Sequence, residues 1–143
     1  MEDTFHLGIK ALVRNEEGKI LLLKVNPEAL KKQTDPYWDL PGGRIERGST
    51  IEDTLRREIK EETGIENITN IQEVAFVLSN IRIPIGDSDV GLILGIFSCN
   101  IPDEYEIKLS FEHIEYGWFP PVEVARLLEI KYPKSFTSKI AEL

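Results

Sequence analysis

One segment of the sequence carries both a helix start signal and a helix stop signal. Ser49 is a residue type that caps helix N-termini, and Glu52 follows it at the spacing of a capping box. Gly64 follows the segment, and glycine is the residue least strained in the left-handed conformation that ends many helices. We therefore expect a helix from about residue 49 to residue 63, packed on structure supplied by the rest of the chain.

The segments on both sides of this helix have strand character. Before it, two runs rich in Ile, Leu and Val are separated by a turn at residues 15–18, which predicts a hairpin. After it, two further runs are divided by a loop over residues 80–87 that contains Pro84 and Gly86. The four expected strands cover residues 5–14, 19–25, 68–79 and 89–100.

The C-terminal part of the chain indicates two more helices. Pro120 and Pro121 begin an expected helix that continues through Leu128, because proline is well tolerated in a first helical turn. Residues 134–143 are expected to form another. This order of elements predicts the α/β class, with helices packed on a mixed β-sheet as an α/β sandwich. A length of 143 residues suits one domain, so we expect a single domain over residues 1–143.

Charge and hydropathy exclude several classes of partner. The formal net charge is −8, so the chain as a whole repels nucleic acid, and a phosphorylated substrate requires a local cation. The longest apolar stretch, residues 90–97, is too short to cross a bilayer, and residues 1–10 do not resemble a secretory signal. We expect a cytoplasmic protein with no membrane partner. The one cysteine, Cys99, cannot form an intrachain disulfide and is expected in a buried strand.

The expected helix carries acidic residues on its apolar side. At about 100° per residue, Ile51, Leu55 and Ile59 share the face that meets the sheet. Glu62 lies near the centre of that face and Glu58 at its edge. A buried carboxylate is unusual without a compensating partner, so these two glutamates need a specific role.

The spacing of three glutamates predicts a metal site. Glu58 is three residues before Glu61 and four before Glu62, so their carboxylates are neighbours that repel one another. Oxygen ligands of this kind suit Mg²⁺, with Mn²⁺ as the alternative, and Mg²⁺ can link carboxylates to substrate phosphates. A water deprotonated by a carboxylate there would be a nucleophile. Arg57 could orient one carboxylate. The alternative is a solvated acidic face with weak ion pairs.

Two loops flank this helix in the sequence. Gly42 and Gly43 follow Leu40 and Pro41, and the glycine pair allows the backbone to come close to another group. Residues 26–36 are polar and contain two prolines, with a short helix expected at residues 27–32. We interpret this second segment as a surface loop.

The stretch from Gly43 to Ile65 strongly resembles the Nudix box of the MutT-like hydrolases. The shared features are Gly43, the Arg57–Glu58 pair, the adjacent Glu61 and Glu62, and Gly64 before a final apolar residue. Ser49 stands where the family has its first glutamate, which removes a supporting carboxylate. Residues 38–42 and the later segment with Glu112, His113, Tyr116 and Trp118 also resemble the family. The resemblance covers roughly residues 7–119 and implies the Nudix α/β/α sandwich.

The resemblance also implies roles for individual residues. Glu58, Glu61 and Glu62 correspond to metal ligands, with the carbonyl of Gly42 as a further ligand. Glu58 or Glu61 would orient or deprotonate the attacking water. A distant loop glutamate completes the metal site or acts as the base in several relatives, and Glu112 has the comparable place here, with Glu115 as the competing choice.

Other residues near the pattern are assigned by their type and position. Gly43 and Arg44 are predicted to contact substrate, as are Tyr37 and Trp38, which stand beside the glycine loop. His113 is interpreted as a structural hydrogen-bonding residue rather than a catalytic one.

The resemblance implies a hydrolase acting on phosphorus-containing acid anhydrides. The predicted function is Mg²⁺-dependent hydrolysis of nucleoside diphosphate-linked compounds by water attack on phosphorus, with nucleoside triphosphates as the first choice of substrate. Dinucleoside polyphosphates and ADP-ribose are alternatives, because variable loops set recognition. A non-catalytic nucleotide-binding module and a structural cation site are the other hypotheses. The sequence leaves a monomer and a homodimer equally open.

Overall fold

The computed structural model describes residues 1–30, 35–102 and 105–143. Their helices and strands, in chain order, are β1 (Phe5–Arg14), β2 (Ile20–Val25), α1 (Pro27–Leu30), β3 (Trp38–Asp39), β4 (Gly42–Arg44), α2 (Ile51–Thr63), β5 (Thr69–Leu78), β6 (Ile83–Ile85), β7 (Ser88–Asn100), β8 (His113–Phe119), α3 (Pro121–Leu127) and α4 (Lys134–Ala141). The expected helix 27–32 begins as predicted, and its last two residues lie outside the described residues.

The strands form one mixed sheet, which confirms the predicted fold class. Its order is β3–β2–β1–β7–β5, with β4 paired to β1, β6 to β7 and β8 to β2. β1 and β7 run parallel, from the pair Phe5 and Gly91 to the pair Arg14 and Asn100, while the other recorded pairs are antiparallel. A parallel pair requires a long crossover, and α2 lies within the chain segment that connects β1 to β7.

The sheet opens between β1 and β2, and this opening positions the site. The two strands pair at Arg14 and Ile20, next to their turn. Away from the turn, β4 pairs with the same edge of β1 in place of β2. Next to this pairing, the Ala11 amide donates to the Pro41 carbonyl at 2.9 Å. The glycine loop is therefore held against β1, directly beside α2.

Helices cover both faces of the sheet. Alternate residues of β1 and β2 point to opposite sides, as the period of a strand requires. Ile9 and Leu21 pack with Leu55 and Ile59 of α2, whereas Leu12 packs with residues of α3 and α4. These two apolar layers make the α/β/α sandwich that the family resemblance implies, and they agree with the mixed sheet and packed helices predicted from the order of elements.

The ends of α2 differ in one respect from the prediction. Gly64 is the C-cap in the left-handed conformation, with φ 82°, and its amide donates to the Lys60 carbonyl. The N-cap is Thr50 rather than Ser49, because the amide of Asp53 donates to the Thr50 hydroxyl at 3.1 Å. The Ser49 amide instead closes a turn onto the Glu46 carbonyl. The helix therefore starts at Ile51, which is exposed and not part of the buried face.

The N-cap assignment leads to a stability prediction. We expect Thr50→Ala to lower the free energy of unfolding by about 1 kcal/mol, because the Asp53 amide loses its acceptor. The matched control is Ser49→Ala, which should change stability by less than about half as much, since its hydroxyl only approaches Arg57 at 3.5 Å. Urea unfolding of both variants measures the difference. If Ser49→Ala destabilised the protein more than Thr50→Ala, Ser49 would be the N-cap.

Several short elements were not predicted from the sequence. The expected loop at residues 80–87 contains β6, which pairs with the start of β7. β8 was not predicted as a strand, although it extends the sheet beyond β2. Cys99 is buried as predicted, and burial raises the pKa of its thiol to about 12. Within the described residues, no helix combines the length and hydropathy that a membrane crossing needs.

Candidate active site

Two glutamates of α2 face the glycine loop. Glu62 is 4% exposed, and its Oε1 accepts a hydrogen bond from the Gly42 amide at 2.7 Å. The Glu58 carboxylate lies against Gly43, where an added Cβ would be only 2.5 Å from the Glu58 Cδ. The close backbone approach expected of the glycine pair is therefore made to the carboxylates of the helix. A side chain at position 43 would displace Glu58.

Glu58 lies in a field of other charges. Burial raises the pKa of Glu58, the neighbouring Glu61 raises it further, and Glu112 acts in the same direction. Arg57 opposes them, with its Nη2 3.5 Å from the Glu58 Oε1. Among the described residues this guanidinium nitrogen has no hydrogen-bond partner, and Ser49 is 3.5 Å from the other terminal nitrogen. Arg57 thus lies where the sequence placed it, beside one carboxylate.

A distant loop brings Glu112 to the same place. The Asn26 side chain donates to the Phe111 carbonyl at 2.8 Å, and the Asn26 amide donates to the Glu112 carbonyl at 2.9 Å. These bonds hold the loop before β8 at the end of β2. One carboxylate oxygen each of Glu62 and Glu112 and one ring nitrogen of His113 then lie within 4.8 Å of one another. Glu115, the competing choice, is paired instead with Lys24 at 3.7 Å.

His113, which the sequence interpretation assigned a structural hydrogen-bonding role, lies next to these carboxylates. Its side chain is buried, its Nδ1 is 3.8 Å from the Glu62 Oε2, and that nitrogen has no hydrogen-bond partner among the described residues. Burial and, to a smaller extent, nearby Lys10 lower the pKa of His113 to about 4, so the ring is neutral at pH 7. A neutral buried imidazole beside two carboxylates can serve as a metal ligand. Its position directly after Glu112 was the only signal in the sequence.

Glu62 is the most strongly perturbed carboxyl group of this cluster. Burial, with a smaller contribution from Glu112, raises the pKa of Glu62 to about 8. Lys10 and the Gly42 amide oppose the shift without cancelling it. In the metal-free chain at pH 7, Glu62 is therefore mainly protonated, and a cation would be needed to keep it ionised.

A second buried charge cluster lies next to the first, centred on Asp39. The Asp39 Oδ2 accepts from the ammonium groups of Lys10 at 3.1 Å and Lys131 at 2.6 Å. Its Oδ1 accepts from the Tyr132 hydroxyl at 2.6 Å and from the Leu40 amide at 2.8 Å. Burial alone would raise the pKa of Asp39, but the two lysines hold it below its ordinary value.

Both clusters line one cleft of about 1220 Å³. The predicted residues that line this cleft are Glu58, Glu62, Glu112, Gly42, Gly43, Arg44 and Tyr37. Arg44 donates to the His6 Nδ1 at 2.9 Å. Glu61 is exposed beside Glu58 and, like Arg57, is not among the lining residues. Trp38 does not reach the cleft either, because its ring packs edge-on against Phe119 at 5.1 Å with Lys24 above it.

The chemistry of the first cluster fits a divalent cation. This cluster consists of the carboxylates of Glu58, Glu62 and Glu112 and the imidazole of His113, beside the backbone of Gly42. Its donors are mainly hard oxygen atoms, which Mg²⁺ and Mn²⁺ prefer. Burial raises the pKa of the Glu62 carboxyl even though Lys10 is near, so its ionised form needs a further positive charge. A cation held there would bring Glu62 to its ionised form and relieve the repulsion between its neighbours.

Comparison with known proteins finds similar sequences and similar structures. A family model described as NUDIX domain matches residues 4–139. The chain is 44% identical over 57 residues to a putative 8-oxo-dGTP diphosphatase of Bacillus subtilis, a match that spans 40% of this chain and 34% of the relative. It is 32% identical over 117 residues to the nucleoside triphosphatase NudI of Escherichia coli, covering 79% and 80% of the two chains. The crystal structure of the MutT protein from Methanosarcina mazei superposes with a TM-score of 0.69 at 26% identity, covering 99% and 96%.

Proposed function

The chain belongs to the NUDIX family, and from this membership and the carboxylates of the cleft we propose that it is a divalent-metal-dependent nucleoside triphosphate pyrophosphohydrolase. The observation that carries the proposal is the convergence of Glu62, Glu112 and His113 within 4.8 Å, beside Glu58, on the wall of a cleft that can hold a nucleotide. Glu62 accepts a hydrogen bond from the Gly42 amide there, but burial disfavours its ionised form, and a bound cation would compensate for that cost.

The proposed metal is Mg²⁺, with Mn²⁺ as the alternative. Its proposed ligands are Glu58, Glu61, Glu62 and Glu112, with the Gly42 carbonyl as a further ligand, and His113 is added by its position. When bound, the cation neutralises negative charge on the phosphates and acidifies a bound water. Arg57 is proposed to hold Glu58 in orientation through the contact at 3.5 Å.

The residues of the cleft would then perform two tasks, removal of a proton from water and contact with the phosphates. Glu58, at the cleft wall, is proposed to take the proton from the attacking water, and Glu112 is the second choice for this role. Water oxygen forms a bond to phosphorus, and the bridging oxygen leaves with pyrophosphate while a nucleoside monophosphate is released. Gly43 and Arg44, at the cleft wall, are proposed to contact the phosphates.

Nucleoside triphosphates are the proposed substrates for two reasons. The names of the relatives from Bacillus subtilis and Escherichia coli describe a nucleotide diphosphatase and a nucleoside triphosphatase. The cleft also contains a wall formed by Lys10, Asp39 and Lys131 next to the carboxylate cluster, and this wall is the proposed contact for the base. Dinucleoside polyphosphates and ADP-ribose are the alternatives, and they share the anhydride chemistry.

One observation favours a second candidate, a module that binds nucleotide without turnover. Ser49 replaces a glutamate of the family pattern. The Arg57 guanidinium next to it has a terminal nitrogen that contacts Glu58 at 3.5 Å but makes no hydrogen bond among the described residues. If the missing carboxylate were essential, the cleft would hold a nucleotide and metal but not hydrolyse it.

A substrate panel separates these functions. The wild-type protein is incubated with nucleoside triphosphates, a dinucleoside polyphosphate and ADP-ribose, with Mg²⁺, with Mn²⁺ or with a chelator, and phosphate and pyrophosphate are measured separately. We expect pyrophosphate and nucleoside monophosphate from triphosphates, only with metal. Glu61→Gln should reduce this turnover at least tenfold. Metal-dependent nucleotide binding with no product from any compound would establish the binding module instead.

A further inference from the structure

Lys131 is a buried lysine of the cleft that the proposed hydrolysis does not use. It precedes α4, is 8% exposed, and lines the same cleft as the glutamates. Its backbone is fixed, because the Lys131 carbonyl accepts from the Ser79 hydroxyl at 2.8 Å and from the Asn80 amide at 2.9 Å. The Asn80 side chain also donates to the Tyr132 carbonyl at 2.9 Å. The lysine is therefore held rigidly at the cleft wall.

Asp39 holds this lysine but has no capacity left for a ligand. An ionised carboxylate offers about four acceptor positions on its two oxygens. Here two ammonium groups, one phenol hydroxyl and one backbone amide occupy them, at distances between 2.6 and 3.1 Å. A substrate group that needs a hydrogen-bond acceptor cannot obtain it from Asp39 in this arrangement.

The ammonium groups of Lys10 and Lys131, in contrast, have N–H donors that Asp39 does not use. Each ammonium carries three N–H donors and no acceptor. Within the described part of the chain, Lys10 donates to Asp39 and to the Leu40 carbonyl at 3.2 Å, and Lys131 donates to Asp39 alone. A buried donor without an acceptor is unfavourable, so a group that fills this part of the cleft must accept hydrogen bonds.

The charge of this wall points the same way. Two ammonium groups share one carboxylate, which leaves a positive excess. Burial lowers the pKa of Lys131 to about 8, and Asp39 opposes that shift, so the ammonium form still predominates at pH 7. An exocyclic amino group of a base would find no free acceptor on Asp39, whereas a carbonyl oxygen would be bound by a charged ammonium donor.

We propose that Lys131 is a specificity-determining residue that donates to a carbonyl oxygen on the base of the substrate, so that nucleotides with a keto base are preferred over those with an amino base. This inference rests on the proposed function, because it requires the phosphates at the carboxylate cluster and the base at the lysine wall. Uracil, thymine and guanine present a carbonyl oxygen at the position where cytosine and adenine present an amino group.

Binding measurements without turnover test this inference. Dissociation constants are measured by calorimetry for non-hydrolysable imido analogues of dUTP and dCTP, which share ring size and charge, in the presence of Mg²⁺. We expect the dUTP analogue to bind about 10-fold to 100-fold more tightly, the range for a hydrogen bond to a charged group. Lys131→Met should remove this preference or reverse it, since one acceptor position of Asp39 becomes free for the cytosine amino group. Lys131→Gln, which keeps an N–H donor, should retain part of it.

The matched control is Lys134→Met, the same change at an exposed position three residues away, which should leave the preference intact. Thermal melting of each variant verifies folding, and Asp39 keeps Lys10, Tyr132 and the Leu40 amide when Lys131 is replaced. The inference is overturned if the wild-type protein binds the two analogues equally well. It is also overturned if Lys131→Met weakens the binding of both analogues by the same factor, which is the result expected of a phosphate contact. If the protein prefers the dUTP analogue but hydrolyses neither dUTP nor any other substrate, the proposed function is overturned and the inference about Lys131 stands.

Discussion

Replacing Glu58 by glutamine should reduce Mg²⁺-dependent turnover of the best nucleoside triphosphate by about 10²- to 10⁴-fold, the usual contribution of a positioned general base. The amide has nearly the same volume, so it still fits against Gly43, but it neither takes a proton nor balances the charge of a cation. Because the amide is also uncharged, repulsion from Glu61 and Glu112 disappears and the fold should not be weakened. The loss is therefore expected in kcat rather than in the amount of folded protein.

Steady-state kinetics and thermal melting of the same preparation measure this difference. The matched control is Glu66→Gln, because Glu66 lies just beyond α2, is 61% exposed and pairs with exposed Lys60 at 3.2 Å. That variant should keep activity within about twofold, as exposed pairs contribute little. A Glu58→Gln protein that keeps more than a tenth of wild-type kcat would exclude Glu58 as the base and leave Glu112 to be tested in its place.

Glu62→Gln should stabilise the metal-free protein while impairing metal binding. The folded pKa of Glu62 is about 8 against an ordinary value of 4.5, because the carboxyl is buried. Between these two values the folded chain binds more protons than the unfolded chain, so stability falls as pH rises from about 4.5 to about 8. Glutamine cannot ionise, and its carbonyl still accepts from the Gly42 amide. The variant should therefore gain on the order of 1–3 kcal/mol at pH 7 to 8 and nothing at pH 4.

Thermal melting from pH 4 to pH 8.5 in the presence of a chelator measures this difference. The melting temperature of Glu62→Gln should decline less with rising pH than that of wild type. The gain corresponds to several degrees for a chain of this size. Saturating Mg²⁺ should raise the melting temperature of wild type at pH 8 but not that of Glu62→Gln, because the ligand stabilises only the state that binds it. Glu66→Gln again serves as the control and should follow wild type. Parallel pH curves for Glu62→Gln and wild type would show that Glu62 is not buried as an acid.

The sequence alone was sufficient where the signal was local. The C-cap at Gly64, the buried face of Leu55 and Ile59, and the placement of Glu58 and Glu62 toward the sheet all follow from helical periodicity and terminal residues. The strands were recognised from runs of Ile, Leu and Val, and the mixed sheet followed from the order of elements. Two local errors remain. The N-cap is Thr50 rather than the adjacent Ser49, which has similar capping ability, and Ile51 is exposed rather than part of the buried face.

Short strands escaped prediction for a different reason. β3 and β4 contain only two and three residues, so no periodicity can develop in them, and they are strands only because β2 and β1 pair with them. Trp38 shows the same limitation. Its place beside the glycine loop predicted contact with substrate, but the register of β3 on β2 turns its ring toward Phe119.

The chain sequence by itself determined the fold class, the family pattern and the helix that carries Glu58, Glu61 and Glu62, because caps and periodicity act over a few residues. Only the tertiary structure decided which remote side chains meet that helix. Glu112 rather than Glu115 joins Glu62, because Asn26 fixes the preceding loop. Lys131 reaches Asp39 across 92 residues. Such contacts depend on strand register and loop anchoring, which no short stretch of sequence encodes.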